Sequence, residues 1–206
     1  METNKPTSLS RRSAIGGMGA AMALPLVGPT ISPTAKPVEG KVALVTGSGR
    51  NLGRAAVLEL ARRGADVVVN ARSNREEAEA VAGEAEALGV RAIALLADVG
   101  NEQQVNQMVA EALGTFGRID ILINNAGFRG SSSIAEMSTD EWRAAAAVNY
   151  DGPFFCTRAV VPTMISNGYG RIITVSGLNS FHGRPNWSHV CGSKMGAMGM
   201  TKALAV

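Results

Sequence analysis

Cysteine is scarce: the chain has only Cys156 and Cys191 among its 206 residues. They form no CxxC pair and show no metal-ligand spacing, so no metal centre is expected and each reads as a small packed side chain. Charge of one sign is scarce too. Twenty basic residues face 17 acidic ones for a net charge of +3, and they form no stripe, so nucleic acid is not an expected partner. Long apolar runs are missing as well. The one candidate, Ala14 to Val27, contains Pro25 and is followed by Pro29, short of the roughly 20 apolar residues that a permanent membrane span needs.

What is present falls into two unlike parts. Residues 1–39 are an N-terminal segment in which Ser10-Arg11-Arg12 precede the short apolar stretch. That order is similar to a twin-arginine export signal, followed by a linker with Pro29, Pro33 and Pro37. Export to the periplasm is the expectation, with cytoplasmic residence the alternative.

From Gly40 the pattern alternates between apolar runs and amphipathic stretches. Val42 to Thr46, Asp66 to Asn70, Arg91 to Leu96, Ile119 to Asn124 and Arg171 to Ser176 read as buried strands. Between them, helices are expected from Leu52 to Arg63, after a capping box at Ser73-x-x-Glu76, and after Asn101-x-x-Gln104. A further box at Ser138-x-x-Glu141 predicts a helix ending near Val148, then another from Gly152 to Ser166, and a last one from Ser188 onward. Fully apolar strands separated by helices imply an α/β fold, a Rossmann-like doubly wound parallel sheet over residues 40–206. In such sheets ligands bind at the C-terminal ends of the strands.

After the first strand comes Thr46-Gly47-Ser48-Gly49-Arg50-Asn51-Leu52-Gly53. Glycines between a strand and a helix let the backbone approach a pyrophosphate, and the helix N-terminus favours its charge. After the second strand there is no carboxylate to hold a ribose 2′-hydroxyl; there is Arg72, with Arg50 in the loop. Two guanidiniums suit a 2′-phosphate, so NADP is expected over NAD. The alternative is that both are solvated loop charges. Asp98 and Val99 follow the third strand, and Asn124, Asn125, Ala126 and Gly127 follow the fourth, with room for a ring or a ribose. Asn149 is a polar residue in an apolar helical stretch, either functional or a helix-ending cap.

Together these stretches resemble the short-chain dehydrogenase/reductase family. Thr46, Gly47 and Gly53 fit its TGxxxGxG loop with Asn51 at the middle glycine, a residue that tolerates the left-handed conformation. The resemblance implies that Asp98 contacts adenine, that Asn149 belongs to a proton relay, and that Lys194 binds the nicotinamide ribose. It also implies a small-molecule carbonyl or alcohol substrate. Two positions depart from the pattern: the family tyrosine is Val190 and the family serine is Gly177. Neither can donate a proton or hold a carbonyl oxygen. His189, with an unperturbed pKa of about 6.5, is the expected substitute donor, provided the helix begins late enough to aim it into the cleft. Ser176 and His182 are weaker candidates, while Trp187 and Phe181 are expected to wall a pocket. The chain stops before the last two strands of the family pattern, so five strands are expected, with an open edge. Gly192, Gly196 and Gly199 suit close helix packing in a homo-oligomer. The reading is an NADP-dependent oxidoreductase with an atypical proton donor. The alternative is an inactive nucleotide-binding module serving as a sensor or an assembly partner.

Overall fold

A computed structural model describes residues 36–206; the twin-arginine-like segment and most of the linker lie outside the described residues. Five strands, β1 (Val42–Val45), β2 (Asp66–Ala71), β3 (Ala92–Leu96), β4 (Ile121–Asn124) and β5 (Arg171–Thr174), form one parallel sheet in the order β3-β2-β1-β4-β5. The helices are α1 (Asn51–Arg62), α2 (Arg75–Glu86), α3 (Glu102–Phe116), α4 (Thr139–Ala146), α5 (Gly152–Ser166), α6 (Asn179–His182) and α7 (Ser188–Ala203).

Both faces of the sheet are covered, which is why its strands carry no polar alternation. Val42 and Leu44 of β1 point to one face, joining Val105, Met108 and Val109 of α3 and Val160 of α5. Ala43 and Val45 point to the other, joining Val57 and Leu58 of α1 and Val81 of α2. Each fully buried Val or Leu side chain contributes about 1.5–3 kcal/mol. The chain order reverses between β1 and β4. Asp120, fully buried, accepts from the Val42 N–H at 2.9 Å and from Arg118 Nε at 2.7 Å, tying β1 to β4 at the end opposite the cleft.

Three local expectations are corrected. The cap of α2 is Asn74, whose side chain accepts from Glu77 N–H, one residue beyond the expected Ser73 box. The helix after Ser138 does not stop near Val148. It passes through a π-helical turn, Ala147–Asp151, straight into α5, so Asn149 is not a terminal cap. The wider π turn absorbs the missing N–H of Pro153. Gly152 there lets the helix press on β3's end: a Cβ would stand 2.9 Å from Val99 Cγ2. The third concerns α7, where Gly196 is used within the chain, since a Cβ would meet the Tyr150 ring at 3.0 Å. Gly192 and Gly199 face open space. The β5 edge is unpaired among the described residues, with Ile173 50% exposed.

Candidate active site

A cleft of about 1180 Å³ runs across the C-terminal ends of the strands at the point where the order reverses. Its first wall is the loop from β1 to α1. Gly47 has φ +60°, and a Cβ there would come within 2.9 Å of Ala126 Cα. Asn51 has φ +52°, the left-handed conformation expected of it in place of glycine. Gly53 is the tightest position: a Cβ would lie 2.5 Å from Gly47 O and 2.7 Å from Ser48 Cα.

Residues outside the loop hold it. Asn70 is buried; its Oδ1 accepts from Gly47 N–H at 3.0 Å, and its Nδ2 points to the carbonyls of Ala71, Leu95 and Ala97. Thr46 Oγ1 accepts from the N–H groups of Asn125 and Ala126, and Asn125 Nδ2 donates to the carbonyls of Thr46 and Gly47. Ser48, expected to face the cofactor, is fully buried instead. Its hydroxyl donates to Val45 O at 2.7 Å and accepts from Asn70 N–H. It braces the loop and does not line the cleft.

The N-terminus of α1 is open to a ligand. Asn74, Asn101 and Ser138 cap α2, α3 and α4 with side-chain oxygens, but Arg50 at the start of α1 makes no such bond. The first-turn N–H groups of α1 therefore face the cleft without an acceptor among the described residues. With the room made by Gly47, Gly49 and Gly53, this cradle fits a dinucleotide pyrophosphate. Leu52 forms the rim, and Asp98, Val99, Asn125, Ala126 and Gly127 continue the wall. Asp98 Oδ1 accepts from Gly100 N–H at 2.9 Å, which fixes its carboxylate. Arg72 lines the cleft directly after β2 and pairs with no carboxylate among the described residues. Arg50 lies 4.0 Å from Glu77, an acidic lining residue that the sequence pattern did not single out.

At the other end stands Lys194, on α7. Its Nζ donates to Val175 O at 3.0 Å and would lie 3.4 Å from a Cβ on Gly127. Burial, followed by the nearby Arg129 guanidinium, holds its pKa below the ordinary lysine value of 10.5. Asn149, 2% exposed, does not line the cleft. Its Oδ1 accepts from Phe128 N–H at 2.9 Å, and its Nδ2 donates to Phe128 O and to Ser193 Oγ at 3.2 Å. It thus joins the loop after β4 to the residue beside Lys194, and Ser193, Phe128 and Asn70 are contributors that sequence spacing alone did not reveal.

His189 is corrected. It is the second residue of α7, 3% exposed, and packs edge-on against Phe128 with ring centroids 6.1 Å apart. Its Nε2 faces Gly130 and its Nδ1 has no partner among the described residues; it does not line the cleft. Because the helix starts at Ser188, the turn of about 100° per residue carries His189 away from the wall formed by Val190, Cys191 and Lys194. Ser176 lines the cleft, but its Oγ is enclosed and has no partner among the described residues. His182 is exposed on α6 and outside the cleft, as is Phe181, 57% exposed; Trp187 does form part of the wall. Cys191 is in the wall as well, whereas Cys156 is sealed in the core and burial pushes its thiol up to about 12. Among the described residues there is no cluster that would hold a metal, and no helix is long and apolar enough to cross a membrane.

An uncapped helix at the reversal point of a parallel sheet, with a lysine across the cleft, defines a dinucleotide-binding domain. The chain belongs to the short chain dehydrogenase family, whose model matches residues 41–206. It is 39% identical to a 3-oxoacyl-[acyl-carrier-protein] reductase of Synechocystis sp. over 165 residues, covering 80% of this chain and 67% of that protein. Among solved structures it is similar to an NAD+-bound xylitol dehydrogenase, at 33% identity and TM-score 0.78, covering 82% of this chain and 65% of that one. It is also similar to a metagenomic short-chain oxidoreductase in complex with NADP, at 34% identity and TM-score 0.77, covering 82% and 76%. The chain therefore spans about two thirds of the length of the first two.

Proposed function

We propose that the protein is an NADP-dependent oxidoreductase that interconverts a small carbonyl compound and its alcohol. The observation that carries this is a single cleft with the open α1 N-terminus at one end and Lys194 at the other. When bound, NADPH would supply the hydride for reduction and NADP+ would accept it in the reverse direction. Gly47, Asn51, Gly53 and the α1 N–H groups hold its pyrophosphate, and Arg72 with Arg50 takes the 2′-phosphate. Lys194, its Nζ held by Val175 O, gives the proton that the reduced carbonyl oxygen requires, in place of the family tyrosine. Residues 1–39 are read as an export leader, and the protein as a homo-oligomer packed through the open Gly192–Gly199 side of α7.

Titrating the protein with NADPH and NADH, followed by nicotinamide fluorescence, is expected to show saturable binding with NADPH preferred by about tenfold or more, the scale of one lost charge-assisted hydrogen bond. Arg72→Ala removes that preference and leaves NADH binding unchanged. Equal affinity for both nucleotides in the unmodified chain overturns the assignment of NADP.

The role of Lys194 has its own pH signature. Its acid form is the donor, so turnover falls as pH rises through the Lys194 pKa. Burial and Arg129 lower that pKa, so the fall begins below 10.5. Arg129→Gln removes the second of these causes and moves the alkaline limb upward. A limb that does not move in this variant shows that another group carries the proton.

The second reading is a nucleotide-binding module without catalysis. Val190 and Gly177 at the two family positions favour it, as does the turning away of His189. It predicts NADPH binding with no turnover of any carbonyl.

A further inference from the structure

The charges in the cleft are unevenly placed. Its acidic lining residues are Glu77 and Asp98, both on the side of β2 and β3. Glu77 faces Arg50, and Asp98 is engaged by Gly100 N–H. The rest of the lining, from β4 to α7, has no carboxylate, yet it holds three cations: Lys194, Arg129, which acts on Lys194, and Arg184. None of the three forms an ion pair among the described residues. Like charges gathered in a concave wall repel one another; burial first, and then the Arg129 guanidinium, lower the pKa of Lys194. Such an arrangement is relieved by an anion from outside.

Both arginines are exposed, but each has a fixed neighbour: Arg129 is anchored through the backbone before it, and Arg184 through a ring. Arg129 follows Phe128, whose N–H and C=O are both bonded to the Asn149 side chain. Arg184 lies over the Trp187 ring, 4.1 Å from its centroid, which presents its N–H groups at the cleft wall. Arg184 and Cys191 also line a smaller cavity of about 290 Å³ next to the cleft. The arginines assigned to the cofactor, Arg50 and Arg72, stand on β1–α1 and after β2, at the opposite end.

From this placement, and resting on the oxidoreductase reading above, we propose that the substrate is an anionic carbonyl compound whose carboxylate or phosphate is gripped by Arg129 and Arg184 beside Lys194. A guanidinium fork matches either group bidentately, and two such forks around one anion fix the position of the carbonyl relative to the nicotinamide end. A neutral carbonyl compound of the same shape leaves the cations unpaired and binds weakly.

The test measures binding to the full chain loaded with NADP+, which cannot reduce a ketone, and to the chain without nucleotide. Calorimetry compares 3-oxobutanoate with its methyl ester, and dihydroxyacetone phosphate with dihydroxyacetone. The anion of at least one pair binds tighter than its neutral partner by about tenfold or more. The pair with the larger difference tells whether carboxylate or phosphate is preferred. Arg129→Gln and Arg184→Gln each reduce the difference, and the double variant abolishes it without weakening the neutral compounds or NADP+. Absence of a preference in both pairs overturns the proposal, as does a preference that survives the double variant. Loss of anion binding when NADP+ is present also overturns it, because the arginines would then belong to the cofactor. Failure of NADP+ to bind, or of NADPH to be turned over, sinks the oxidoreductase reading and leaves the anion preference to be read in the nucleotide-free protein.

Discussion

A variant carrying both Val190→Tyr and Gly177→Ser reduces carbonyl substrates faster than the unmodified protein, by about 10²–10⁴-fold in kcat. A positioned general acid is worth that much because it neutralises the oxygen as negative charge develops there. Both positions lie in the cleft wall. A Cβ on Gly177 meets nothing within 4 Å, and Val190 is already in the wall, four residues and one helical turn before Lys194. The new phenol would lie beside an ammonium, which lowers its pKa toward the working range. NADPH affinity and thermal midpoint are measured alongside, to show that the fold and the cofactor end are unchanged. A variant that binds NADPH normally but gains no rate would mean that the proton is not limiting, and that the substitutions in this chain serve a different chemistry.

Gly53→Ala is expected to weaken NADPH binding by about 10²-fold, equivalent to two charge-assisted hydrogen bonds at roughly 1.5 kcal/mol each. It also lowers stability by about 1–3 kcal/mol. The added methyl would stand 2.5 Å from Gly47 O, 2.6 Å from Asn125 Nδ2 and 2.7 Å from Ser48 Cα. Two of these are backbone atoms, and Asn125 is tied to the carbonyls of Thr46 and Gly47, so nothing there yields cheaply. The loop must lift, taking the α1 N–H groups with it. Gly114→Ala, in the last turn of α3 where a Cβ meets nothing, is the control. It raises stability by about 0.5–1 kcal/mol and leaves NADPH binding alone. Fluorescence titration and thermal denaturation of the two variants side by side decide the matter. If Gly53→Ala binds NADPH as the unmodified chain does, the glycine loop is not the phosphate cradle.

The strands were legible because burial on both faces leaves continuous apolar runs such as Val42 to Val45 and Val67 to Val69. The α3 face was legible for the same reason, since Val105, Met108, Val109, Ala112 and Phe116 recur at helical spacing and all are buried. Asn101 and Ser138 were readable as caps because capping is local chemistry between residues three apart. The Ser73 box failed by one residue, since Asn74 is an equally good acceptor and the turn out of β2 chooses between them. The π turn at Asn149 left no local mark. It arises where Gly152 must approach Val99 and Asn149 must reach Phe128, contacts between residues about 50 and 20 positions apart.

The sequence by itself determined the doubly wound sheet, the glycine loop, the missing tyrosine and serine and the place of Lys194, because these follow from periodicity and from residues in fixed order along the chain. Only the tertiary structure decided which side chains enter the cleft. It buried Ser48 beneath the loop, turned His189 onto Phe128, and brought Arg129 and Arg184 into the wall of the same cleft as Lys194. The reason is geometric. A helix turns about 100° per residue and a strand 180°, so the direction of one side chain depends on where its element starts and what it packs against. Contacts across the sheet set both, and spacing along the chain does not record them.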